Sequence, residues 1–134
     1  MDNIKEAKTK VIHSSNESDE ITNISPIDFC EFHYPEMMGE FKKILDEMYD
    51  IFARKQMNYG PDNISVGTQL ESNQDIKLAL SGLWFRKNDK INRLKQLVIF
   101  GQPDTVGESV EDTYQDLAVY GVISQIVQRK KWGK

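Results

Sequence analysis

The chain has 134 residues, 28% of them charged and 39% hydrophobic, with a net charge of −4. That length suffices for one domain with its own core, and the acidic balance disfavours generic binding to a nucleic-acid backbone. A single cysteine, Cys30, excludes an intramolecular disulfide framework, and with only His13 and His33 beside it a Cys/His zinc site is not expected.

No apolar run approaches the roughly 20 residues of a membrane span, and the N-terminus lacks a secretory apolar region, so the expectation is a cytoplasmic protein. Charge is unevenly placed. Residues 1–30 carry three Lys against six Asp/Glu, and the rest carry 14 basic against 15 acidic residues. Residues 1–30 therefore read as a polar, mobile tail that cannot bury enough apolar area to offset its ordering entropy. Residues 31–134 read as an all-α domain. Across the junction, residues 27–34 bring aromatics able to dock on that domain, and Pro35 suits the first turn of a helix.

The first helix is expected over residues 36–57. Met37, Phe41, Ile44, Leu45, Met48, Ile51 and Phe52 share one stripe, with Lys42, Lys43, Asp46, Asp50 and Arg54 outside it. Lys55 and Tyr59 continue the apolar stripe before Gly60 and Pro61 end the helix. A polar connection with one apolar pair, Ile64 and Val66, leads to a second helix from residue 73 or 75 to residue 100. Its core stripe is Ile76, Leu80, Leu83, Trp84, Ile91, Leu94, Leu97 and Val98. Beside it Arg86, Asp89, Lys90 and Arg93 form one polar edge at i, i+3, i+4, i+7 spacing. The third helix is expected over residues 108–131. No window alternates with period two, so no sheet is expected. Three long amphipathic helices, with a possible short one, imply a helical bundle.

Residues 108–120 carry the functional question. On a helix, Glu108, Asp112 and Asp116 fall within about 80° of one another. The same stripe continues into Val119, Ile123, Ile126 and Val127, which read as core. Carboxylates on the line of a buried face require a cation. Glu108 and Glu111 have a simpler use, as acids near the positive end of the helix dipole, and Ser109 with Asp112, or Thr105 with Glu108, can form a cap. Asp116 lies two turns in, and burial with a partner is the better reading for it. Two partners fit. Either the basic edge neutralises the acids structurally, or both sets line a cleft in which acids hold Mg²⁺ and bases hold phosphate. Lys55 either snorkels or reaches into the same site.

Three ordered motifs resemble a known family. These are Lys55-x3-Tyr59-Gly60; Gly82-Leu-x2-Arg86-x2-Asp89-Lys90-x2-Arg93-Leu94; and Glu108-Ser-x2-Asp112-Thr-x2-Asp116-Leu-x2-Tyr120. Over residues 50–124 they resemble the nucleotide-modification-associated domain of bacteria and phages. More loosely, they are similar to the all-α nucleoside triphosphate pyrophosphohydrolases of the MazG and dimeric dUTPase group. The resemblance implies a MazG-like bundle, assembly as a dimer or tetramer, and Mg²⁺-dependent cleavage of a (d)NTP to monophosphate and pyrophosphate. It implies Asp116, Asp112 and Asp89 as catalytic residues, joined by Glu108 as metal ligands. Arg86, Lys90, Arg93 and Lys55 would bind phosphate, and Tyr59 and Tyr120 would contact the substrate. Two positions depart from the pyrophosphohydrolase pattern. Thr113 stands where an acid belongs, and Arg86-x2-Asp89 offers one acid where two belong. Fewer acids and more bases would hold metal less tightly and phosphate more tightly, which prompts the alternative, a module that captures a nucleotide or nucleotide signal without cleaving it.

Other chemistry is not signalled. The chain has no Walker-type phosphate loop, no Gly-x-Ser-x-Gly elbow and no His-rich metal motif. The basic end, Arg129-Lys130-Lys131-Trp132-Gly133-Lys134, reads as favourable charge at a helix C-terminus.

Overall fold

A computed structural model describes residues 23–134. The expected mobile tail lies largely outside the described residues. Its last part does not: helix α1, Pro26–His33, begins inside it. Ser25 caps α1 by accepting the Asp28 amide at 3.4 Å, and Pro26 fills the first turn, where its missing N–H costs nothing. Pro35 then stops α1, because the residue before a proline is driven out of the α region, and Tyr34 sits at φ −134°, ψ 58°.

Helix α2, Pro35–Tyr59, follows at once and crosses the boundary between two compact units, the second of which is Met48–Lys134. In the first unit Lys42 pairs with Glu31 at 3.1 Å, an exposed contact of small energetic weight. Most of the apolar stripe of α2 is exposed there. Met37, Phe41, Ile44 and Leu45 are 44–62% exposed, and Met48 alone in the helix is buried. Periodicity defines an apolar face but not what covers it.

The second unit contains the end of α2, a single turn α3 (Asp62–Ser65), α4 (Asn73–Leu94), a π-helical turn at Lys95–Ile99, and α5 (Val110–Gln128). No strand occurs among the described residues, in line with the all-α expectation. Gly60, at φ 65°, ends α2, and its amide bonds Gln56 O. Ser72 caps α4 through the Asp75 amide at 3.1 Å, and Ser109 caps α5 through the Asp112 amide at 3.0 Å. The expected second helix is thus continuous in trace but changes character after Leu94, where bonds such as Phe100 N to Lys95 O widen the turn.

Helices α4 and α5 run in opposite directions. Lys87 meets Ser124, Lys90 meets Asp116, and Arg93 meets Thr113, so numbering rises on one as it falls on the other. Between and beside them the core gathers Ile64, Leu70, Ala79, Leu83, Ile123, Val127 and Trp132, with Phe52, Ile76, Leu80, Val119, Tyr120 and Ile126 against it. Trp132 reaches back to donate its indole N–H to Pro61 O at 2.9 Å, which fastens the C-terminal end to the α2–α3 turn. Ile123 and Val127 take the buried places their stripe implies, whereas Trp84, Ile91 and Val98 of α4 are 59%, 52% and 48% exposed. The buried line of α4 runs instead through Ala79 and Leu83.

Candidate functional site

The acid ladder of α5 is rearranged by its cap. With Ser109 as the N-cap, Glu108 precedes the helix rather than riding on it. Asp112 occupies the first turn, where its amide serves Ser109 and its residue stays exposed. The inward position one turn before Asp116 belongs to Thr113, which is fully buried.

The basic edge of α4 meets these groups one by one. Lys90 Nζ lies 2.9 Å from Glu108 Oε1 and 2.9 Å from Asp116 Oδ2. Asp116 Oδ1 takes a second ammonium, Lys55 Nζ from α2, at 3.3 Å. Arg93 donates from Nε to Thr113 Oγ1 at 3.1 Å and from Nη2 to Glu108 O at 2.6 Å and Asp104 Oδ1 at 3.2 Å. Thr113 in turn donates to Ser109 O at 3.2 Å. Arg93 is therefore a clip between α4, the loop before α5 and the first turn of α5.

Burial pushes Asp116 toward its neutral form, but hydrogen bonds and charge from Lys90 and Lys55 outweigh it and hold the carboxyl below its ordinary range. Lys90 mirrors this. Burial disfavours its charge, and the hydrogen bonds it donates to Glu108 and Asp116 overcome that and raise its pKa. For Asp104 the Val106 amide is the largest cause of a lowered pKa, with burial opposing and Arg93 assisting.

Beside this network lies a cleft of about 340 Å³. Its charged lining is Lys55, Arg86 and Asp116, its aromatic lining Phe52, Tyr59 and Tyr120, and its amide lining Gln56, Asn63 and Gln115, over an apolar floor that includes Ile64, Val119 and Ile123. Arg86 donates from Nη2 to Asn63 O at 2.9 Å and pairs with no carboxylate among the described residues. The cleft thus holds a guanidinium with spare donors and a lysine whose partner is already served by a second lysine.

The expected site residues therefore divide. Lys55, Arg86, Asp116, Tyr59 and Tyr120 share the cleft, while Lys90, Arg93 and Glu108 stand in the network beside it. Asp89 and Asp112 are exposed and join neither. The four acids expected to hold Mg²⁺ do not converge, and among the described residues no cluster of three or more His, Cys, Asp or Glu is placed to bind a metal. Each of the two acids that do approach, Glu108 and Asp116, already faces an ammonium, so as folded the set does not fit a divalent ion. Sequence reasoning missed Phe52 as a cleft residue, and also Gln56, Asn63, Gln115 and Asp104. Gln56 and Gln115 adjoin Lys55 and Asp116, a signal that could have found them, but the service of Asn63 through its carbonyl leaves no mark in the sequence. Compared with known proteins, the chain matches no family model, no curated protein and no solved structure.

Proposed function

We propose that this cleft captures a nucleotide, with phosphate toward Lys55 and Arg86 and the ring system against Tyr59, Tyr120 and Phe52. One observation carries the reading. The same cavity combines Arg86, a guanidinium without a carboxylate partner, with aromatic faces and side-chain amides. Phosphate calls for guanidinium and ammonium donors, a base for a flat apolar face, and its polar edge for amides that both donate and accept. The motif resemblance to the nucleotide-modification-associated domain supports the same reading. Titration of the protein with a panel of nucleotides by calorimetry tests it. Saturable heats that vanish in Arg86→Gln support capture, and no heat from any nucleotide refutes it.

The motif resemblance also carries a second reading, Mg²⁺-dependent pyrophosphohydrolysis of (d)NTPs, which requires Lys90 to release Glu108 and Asp116 before either acid can take a metal. Chelator-sensitive release of pyrophosphate, lost in Asp116→Asn, would support it. Intact nucleotide after prolonged incubation with Mg²⁺ would leave capture alone. Self-association belongs to both readings, and the exposed Met37, Phe41, Ile44 and Leu45 supply an apolar stripe for it.

A further inference from the structure

We infer that the nucleotide this cleft takes carries a single phosphate, and that it binds without a metal. The inference rests on the capture reading above and adds the ligand class. Size is the first ground. At about 340 Å³ the cavity lies at the lower end of the roughly 300–1,000 Å³ range of ligand sites. One nucleoside with one phosphate suits that volume, and a triphosphate chain would have to leave it.

Charge is the second ground. The lining groups are Lys55, Arg86 and Asp116, a surplus of one positive charge. The cations next to them are committed: Lys90 to Glu108 and Asp116, and Arg93 to Asp104, Thr113 and the carbonyl of Glu108. A phosphate monoester, at about −1.5 to −2 near neutral pH, exceeds this surplus by at most about one charge. A triphosphate would bring about twice that charge. It would need a metal to neutralise the remainder, and the acids that would hold one are occupied by lysines. Lys55 provides the give. Its side chain is 47% exposed, and because Asp116 keeps Lys90, Lys55 can swing to phosphate without leaving a bare carboxylate.

The test is calorimetric titration of the full chain, in EDTA, with the four deoxynucleoside monophosphates, the matching triphosphates and the matching nucleosides. The expected result is that at least one monophosphate binds at least tenfold more tightly than its triphosphate. Arg86→Gln should then reduce the preference for that monophosphate over its nucleoside by about tenfold or more, with nucleoside affinity unchanged. Lys55→Met should act in the same sense, and circular dichroism confirms that each variant is helical. A triphosphate that binds as tightly as its monophosphate in EDTA, or a monophosphate preference unchanged in both variants, overturns the ligand class while leaving capture standing. Silence from every nucleotide and nucleoside overturns both.

Discussion

Asp116 illustrates how single side chains set the behaviour of this site. Its side chain is 20% exposed and bridges two lysines, and its pKa lies below the ordinary carboxylate range. A carboxyl depressed on folding stabilises the protein above its unfolded pKa of about 3.9, and that contribution is lost as pH falls through the lower folded value. Asp116→Asn should cost about 1 kcal/mol at neutral pH, small because solvent screens the half-exposed Lys55, and arising because Lys90 keeps only Glu108 and Lys55 keeps nothing. Urea unfolding at pH 7 and at pH 3 checks this, and the gap between wild type and variant should narrow at the lower pH. Lys90 has the opposite sign. With its pKa raised, its contribution is complete below about 10.4 and disappears as pH climbs through the folded value. Arg93 carries more structure than either, since Thr113, Asp104 and Glu108 O all depend on its guanidinium. Arg93→Met should cost about 2–4 kcal/mol in the same denaturation measurement.

At the scale of elements, the ends of helices decide which charges enter the site. Ser109→Ala should destabilise α5 by about 1 kcal/mol through loss of the Asp112 amide bond, a change visible as a lowered thermal midpoint. The same cap explains what the sequence left ambiguous. A helix starting at residue 108 would align Glu108, Asp112 and Asp116 as a ladder; starting at Val110, it leaves Glu108 in the preceding loop and Asp112 in solvent. The need for a cation at Asp116 and the basic edge of α4 were legible from spacing alone, because helical periodicity fixes which side chains neighbour one another. The identity of each pair was not, since a shift of one residue in helix start or packing exchanges partners. Thr113 read as a missing acid. In the fold it is the buried hydroxyl that accepts Arg93, a place where a carboxylate would have to be desolvated.

For the whole molecule, the balance of buried and exposed apolar residues is the governing fact. Trp132 lies in a stretch that read as basic end-charge, yet it is 7% exposed and seals the core, its ring 6.0 Å from that of Phe52. Conversely, Met37, Phe41, Ile44 and Leu45 share one apolar stripe in the sequence and are exposed. Amphipathic pattern is a property of one helix, whereas coverage depends on which surfaces meet, and no local signal reports that. If self-association covers the stripe, sedimentation should give a mass at least twice the 15.5 kDa of one chain, and Phe41→Lys should shift it toward the single chain. A monomer at micromolar concentration would remove assembly from the account and leave the cleft untouched, because every group lining it belongs to Met48–Lys134.

Nucleotide capture at that cleft is decided by calorimetric titration of wild type against Arg86→Gln with a nucleotide panel. The expected result is one-site binding by the wild-type chain, retained in chelator and reduced at least tenfold when the guanidinium is replaced. Equal affinity in the two proteins, or no binding by the wild type, would contradict it.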